Sequence, residues 1–231
     1  MKAAQLQKGW SGPAGCRIRL ARLDDAETAA RLIQMADAGG ELPTEVLALL
    51  RTGFNATLVL RGLDEGPRAI LEQIALLATQ GRLQEAIGRL ASVLVAEDRD
   101  GQIVATSLTF PPGAIIVRAL RANLDQMRIL VLAVTVLKIK GVAVAESARG
   151  NGIGQAMLRR IVQTYDQIGY RLLYGQFTVG SGLETYYRRQ GFEILDQHDG
   201  VSLTPLLDLP ITIGAPPGEQ LFLHWNVNRR R

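Results

Sequence analysis

The chain has 231 residues, 47% hydrophobic and 21% charged, a balance that supports a packed core and excludes disorder as the default state. Formal net charge is +4 and the sequence pI is near 9.5, so the surface mildly favours anionic partners. The terminal run Arg229-Arg230-Arg231 supplies part of that excess, but without interleaved aromatics it reads as a solvated tail. Cys16 is the single cysteine, which rules out an intrachain disulfide and leads us to expect a reducing, cytoplasmic setting.

Residues 1–15 read as a flexible leader without the apolar core of a signal peptide. Arg17 to Arg22 alternates charged and apolar residues, the period of a half-buried strand. Asp24 or Asp25 then caps a helix carrying Ala29, Leu32, Ile33 and Met35, closed by Gly39-Gly40, and a second helix starts after Pro43. Two further apolar faces, Ile70 to Leu77 and Leu83 to Leu90, predict helices separated by Gly81. Asp98-Arg99-Asp100-Gly101 between apolar runs is a hairpin signal.

Ile116, Leu120, Leu124 and Met127 suit a helix, and a buried strand follows over about 133–145. The apolar stretch Ile129 to Ala145 is too short, and too interrupted by Lys138 and Lys140, to span a bilayer. A helix from about 155 to Gly169, a strand over 172–177, a short helix capped by Ser181, a strand over 192–195 and a last strand over 221–225 complete the reading. It describes a mixed sheet with helices on both faces.

The segment Arg149-Gly150-Asn151-Gly152-Ile153-Gly154 stands between the buried strand and an amphipathic helix. Glycines let successive backbone N–H groups converge on an anion, the helix N-terminus adds a favourable dipole, and Arg149 adds charge. A tight strand-to-helix connection with incidental glycines is the competing reading. The spacing rejects a dinucleotide fingerprint, which needs glycine at Met157, and a P-loop, which needs Gly-Lys-Ser/Thr.

Val142-Ala143-Val144, four residues, then Arg149 to Gly154 and a helix resembles the GNAT superfamily of acetyl-CoA-dependent N-acetyltransferases, whose signature is Gln/Arg-x-x-Gly-x-Gly/Ala after a long strand. Tyr187-Arg188-Arg189-Gln190-Gly191-Phe192 is similar to that family's second block, a tyrosine four residues before Gly-Phe. The resemblance is firm over about 134–196 and looser over 17–110, and residues 200–231 match only as a last strand. It implies an α/β (α+β) fold with a mixed, mostly antiparallel sheet, helices on both faces, and a splay between the family's fourth and fifth strands. A single domain over 16–231 is expected, with extra helical segments at about 42–91 and 112–132.

The resemblance also implies roles. Backbone groups of Val142 and Val144, with Ala143 alongside, would hold the pantetheine arm of acetyl-CoA. Backbone amides of Gly150, Asn151, Gly152, Ile153 and Gly154, beside Arg149, would hold its pyrophosphate. Tyr187 would protonate the departing thiolate, with Tyr186 its neighbouring alternative. The slot where some members carry a basic glutamate is Lys138. Gly180 stands where an asparagine often contacts the cofactor, and Glu146 and His224 are weaker candidates for a base. No metal is expected. A small-molecule or peptide amine is the expected acceptor, a homodimer is allowed, nucleic acid is disfavoured, and no membrane partner is expected. A non-catalytic acyl-CoA-binding module is the alternative.

Overall fold

The computed structural model describes residues 1–36 and 44–226; the glycines and proline expected to bound the first two long helices, and the C-terminal arginines, lie outside them. In chain order the elements begin with α1 (Ala3–Lys8), β1 (Trp10–Ser11), β2 (Arg17–Leu20), α2 (Ala26–Ala36), α3 (Thr44–Arg51), α4 (Thr57–Glu65), α5 (Pro67–Thr79) and α6 (Leu83–Gly88). Next come β3 (Ser92–Glu97), β4 (Ile103–Phe110), α7 (Gly113–Arg121), α8 (Gln126–Thr135), β5 (Val136–Val144), α9 (Ile153–Gln167) and β6 (Leu172–Thr178). The last are α10 (Leu183–Arg189), β7 (Glu193–Ile194), β8 (Gly200–Ser202), α11 (Thr204–Leu207), β9 (Thr212–Gly214) and β10 (Glu219–Trp225). They fall into two compact units, Met1–Phe110 with Ile139–Ile168, and Pro111–Lys138 with Gly169–Arg231, where the sequence suggested one domain over 16–231.

The first unit is built on the strand order β1-β2-β3-β4-β5, antiparallel from β1 through β4. The Asp-Gly hairpin forms as its residues dictate. Asp98 Oδ1 accepts the backbone N–H groups of Asp100 and Gln102, at 3.0 and 2.8 Å, and Gly101 takes the left-handed conformation at φ 79°. Helices α2 and α3 bury Ala29, Ala30, Ile33, Val46 and Leu50 against Val93, Val95 and Ala143. On α9, Met157, Leu158, Ile161 and Tyr165 are buried at helical spacing. The Tyr165 hydroxyl lies 2.9 Å from both Ser92 Oγ and Thr109 Oγ1 and 3.1 Å from the Leu90 carbonyl, which ties α9 to β3 and β4. Burial pushes its phenol up to about 12, against the pull of the Ser92 and Thr109 bonds.

Two expectations change. Residues 1–15 carry α1 and β1 rather than a flexible leader. Leu6 is only 1% exposed and β1 pairs with β2, contacts that no local pattern in those residues announces. The apolar run from Ile129 divides, with helix to Thr135 and strand only from Val136, so the strand starts later than its hydrophobicity indicates. The helix at 57–65, inside the helical segment expected over about 42–91, starts after a left-handed Ala56 (φ 58°).

In the second unit, β6 is antiparallel to β10 over the whole of both strands, and β10 to β7; β8 and β9 form a separate pair. Here β5 and β6 stand where the resemblance places its fourth and fifth strands. They are parallel and paired over Val136–Lys138 with Leu172–Tyr174.

One buried ion network fixes the start of α2. Arg19, 4% exposed, donates to Asp25 Oδ2 at 2.6 Å and Oδ1 at 3.1 Å, and to Glu97 Oε2 at 2.7 Å. Asp25 also accepts the Arg22 N–H at 2.7 Å, closing the turn Leu23–Asp25. Burial opposes ionisation of Asp25, but the bonds from Arg19 and Arg22 outweigh it and hold its carboxyl below the ordinary range. Breaking one side of a buried pair costs roughly 3–5 kcal/mol. Asp25→Asn is therefore expected to destabilise the chain by about that amount at pH 7, read from urea unfolding. With a folded pKa below the unfolded one, this stability is present above about pH 4 and disappears as pH falls through the folded value. The variant's deficit should accordingly shrink on acidification below pH 4.

Candidate functional site

Each of the two units holds one of the sequence-predicted elements. In the first, β5 ends at Val144 and Ala145 N–H donates to the Val104 carbonyl at 2.8 Å, so the strand end stays on β4. A single 3-10 turn, Glu146–Ala148, leads to the glycine segment. Gly150 and Gly152 are left-handed at φ 77° and 74°, and Gly152 is the residue from which α9 starts. These two positions require glycine for their backbone; at neither would a Cβ collide with its surroundings.

The consequence is a row of free donors. The first intrahelical bond crossing the junction runs from Ala156 N–H to the Gly152 carbonyl. Among the described residues, the N–H groups of Gly150, Asn151, Gly152, Ile153, Gly154 and Gln155 have no acceptor. Six consecutive donors stand at the positive end of a 15-residue helix, where the backbone N–H groups and the helix dipole both favour negative charge. The side chains around it turn inward on the loop. Asn151 Nδ2 donates to the carbonyls of Ala148 (3.3 Å) and Arg149 (3.4 Å), and Arg149 Nε donates to the Val144 carbonyl at 3.2 Å. Arg149 thus braces the strand end while its guanidinium stays exposed beside the turn. Ala143 is buried in the core, whereas Val142 and Val144 are half-buried.

In the second unit, Gly182 (φ 77°) opens α10, and no side chain caps it; Ser181, expected in that role, is exposed and does not bond the helix. Tyr187 on α10 is 8% exposed and sits in an aromatic group. Its ring lies 3.9 Å from Phe222, nearly parallel, with Phe177 at 5.7 Å and Phe192 edge-on at 5.8 Å. Tyr186 meets it edge-on at 5.3 Å. Among the described residues the Tyr187 hydroxyl has no hydrogen-bond partner. Burial, reinforced by the neighbouring Tyr186, raises its pKa well above the ordinary tyrosine value, so the phenol keeps its proton through the neutral range.

Of the residues weighed as a base, Lys138 donates from Nζ to Gln176 Oε1 at 3.0 Å, Glu146 is exposed on the 3-10 turn, and His224 packs its ring 6.0 Å from Phe192. Among the described residues no cluster of three or more His, Cys, Asp or Glu could hold a metal, and no helix is long and apolar enough to cross a membrane. The sequence reading did not anticipate Gln155 as the sixth donor of the turn or the aromatic group formed by Phe177, Phe192 and Phe222. The first follows from helix geometry once the start of α9 is known. The second needs the β6–β10 register, which joins residues far apart in the chain.

A family model described as the acetyltransferase (GNAT) domain matches residues 89–194, which include the glycine turn, β5, α9 and Tyr187. That stretch spans 106 of the 231 residues, a little under half of the chain. A GNAT domain from S. lividans PAT has a TM-score of 0.55 with 11% identity, over 96% of this chain and 98% of that one. Similar too is yncA of Salmonella typhimurium, solved with its cofactor acetyl-CoA, with a TM-score of 0.50, 13% identity and coverage of 94% and 96%. At such identities the likeness speaks for the fold. No curated protein sequence matches the chain.

Within the stretch that matches this model, the left-handed conformation at Gly152 gives a clean test of the turn. A Cβ there would meet Pro13 at 3.8–3.9 Å, ordinary contact, so the penalty of Gly152→Ala is the backbone conformation alone, about 1–2 kcal/mol. A drop of that size in urea-unfolding free energy is expected. An unchanged midpoint would show that the turn does not hold this conformation in solution.

Proposed function

We propose that the protein transfers the acetyl group of acetyl-CoA to an amine of a small molecule or peptide by direct attack. The single observation that carries the reading is the row of six unbonded backbone N–H groups opening α9, inside the stretch that matches the GNAT model. Pyrophosphate is the anion such a row fits best, since its several oxygens accept from successive amides. Support for acetyl-CoA in particular comes from yncA, whose fold this chain shares and which was solved with that cofactor.

Gly150 to Gly154 would hold the pyrophosphate, with the Arg149 charge beside them. β5 runs on through Ile139 to Val144 in the first unit. Its backbone at Val142 and Val144, with Ala143 between them, offers N–H and C=O groups to the amides of a pantetheine arm. One strand N–H would polarise the thioester carbonyl. The free amine attacks that carbonyl carbon, the tetrahedral intermediate collapses, the C–S bond breaks, and the CoA thiolate takes a proton. Tyr187 is the donor in this scheme. Its raised pKa and its hydroxyl without a partner among the described residues suit a group that surrenders a proton only when a strong base is generated beside it. Cys16 is buried in the first unit, far in sequence from both motifs, so no cysteine acyl-enzyme is invoked.

A second reading, an acyl-CoA-binding module without chemistry, is favoured by one observation: the family's glutamate slot holds Lys138, committed to Gln176.

Saturating acetyl-CoA is expected to raise the melting temperature, whereas no shift would sink the cofactor assignment. Tyr187→Phe should keep that shift and lower turnover about 100-fold in a thiol-release assay against amines, amino acids and peptides. Turnover equal to the parent chain would remove Tyr187 from the acid role. A silent screen with the thermal shift intact would select the non-catalytic module. Because burial raises the Tyr187 pKa, no alkaline loss of rate below about pH 10 should come from its ionisation.

A further inference from the structure

A second concave site lies wholly within the second unit. Its volume is about 460 Å³, enough for a small organic ligand. Part of its wall comes from the β8–α11 excursion and from the end of β10, beyond residue 194, where the match to the family model ends. It also occupies the other side of β10 from the aromatic group. Phe222 stacks on Tyr187, whereas Leu223 and Trp225 belong to the opposite face by strand alternation and line the cavity.

The chemistry of the lining is specific. Leu223, Val201 and Leu206 make it apolar. The Trp225 indole is held in place by its Nε1–H, which donates to Glu193 Oε2 at 3.1 Å. That carboxylate is exposed, and its other oxygen has no hydrogen-bond partner among the described residues. Toward the start of β6 stands Arg171, exposed, whose guanidinium has no hydrogen bond or ion pair among the described residues. The two charges share one cavity yet do not pair with each other.

Register explains why. Glu193 is opposite Leu223 on β10, and the Asn226 N–H bonds the Arg171 carbonyl on the other side. The two α-carbons are therefore two strand spacings and three residues apart, roughly 14 Å. Two residues of extended chain span about 7 Å, and the Glu and Arg side chains cover the remainder. An apolar trough with an anion at one end, a cation at the other and an indole between them matches one ligand class.

We propose that this cavity binds a short apolar peptide as its zwitterion, about a dipeptide in length. The peptide's ammonium lies at Glu193, its carboxylate at Arg171, and its side chains on Leu223, Val201 and the Trp225 ring. The site is separate from the acetyl-transfer reading and does not depend on it, since every group it uses is accounted for without cofactor.

Trp225 supplies the signal. The chain has two tryptophans, and Trp10, in the first unit, stacks under Arg160 at 4.8 Å. In a Trp10→Phe chain without acetyl-CoA, titration with Leu-Leu to about 10 mM should give a saturable change in indole emission, as expected for a modest millimolar-range affinity. N-acetyl-Leu-Leu and Leu-Leu-amide, each lacking one charge, should bind at least about fivefold more weakly, roughly 1 kcal/mol each. Arg171→Gln should erase the difference between Leu-Leu and its amide. Glu193→Gln, which still accepts from the indole, should erase the difference between Leu-Leu and its N-acetyl form. A flat titration overturns the proposal. So does equal binding of free and blocked peptides, or charge preferences that survive both substitutions.

Discussion

The seating of α9 on β3 and β4 is the constraint on which the candidate chemistry of the first unit rests. An anion site made of backbone donors has no side chains to adjust; its position is set by where the helix starts and how firmly the helix is held. Met157, Leu158 and Ile161 bury the apolar stripe of α9. Tyr165 then adds direction, because its hydroxyl meets Ser92, Thr109 and the Leu90 carbonyl in a fully buried setting. An apolar stripe alone tolerates sliding along its axis, whereas a hydroxyl with three buried partners fixes one register. The left-handed pair Gly150 and Gly152 then carries the chain from the end of β5 to that fixed start, so that six N–H groups are left pointing out of the helix end.

The Arg19–Asp25–Glu97 network plays the corresponding part for α2. It joins β2, β3 and the turn that begins the helix, so the helical layer carrying Ile33 is set by an ion pair as well as by apolar packing. Buried ion pairs of this kind give little net stability compared with apolar replacements, but they penalise misplacement heavily. Ile33 Cδ1 would lie 3.5 Å from a Cβ at Gly141, in mid-β5, so the position of α2 bears on the strand that leads to the glycine turn.

What was legible in the sequence was local. The glycine turn, the Asp-Gly hairpin and the Tyr187 to Phe192 block each write their conformation into a few adjacent residues, and each forms as read. The elements that escaped depend on distant partners. Leu6 is the one large apolar side chain of Ala3–Lys8, and its burial with Ala3 anchors that helix. Helix α4 needs Ala56 in a left-handed conformation, which bonds its N–H to the Ala91 carbonyl far along the chain. Ser181 has the chemistry of a cap, yet Gly182 takes the junction because a positive φ is what that turn demands. The β8–α11–β9 excursion is built of three- and four-residue pieces below the length at which periodicity carries information.

Strand alternation in β10 adds a last point about how one short segment serves two sites. Phe222 and His224 pack with the aromatic group around Tyr187, and Leu223 and Trp225 face away from it. A side chain on one face can change without touching the other, but the backbone between them cannot, because β10 is hydrogen-bonded to β6 along its whole length and to β7 at its middle. Glu193 is where the faces meet. Its backbone pairs with Leu223, its side chain holds the Trp225 indole, and its neighbour Phe192 lies edge-on to Tyr187. Coupling between the two faces, if ligand binding moves Trp225, has its shortest covalent route through that Phe192–Glu193 bond. A ligand on the far face would therefore be felt first as a change in how the Phe192 ring meets Tyr187.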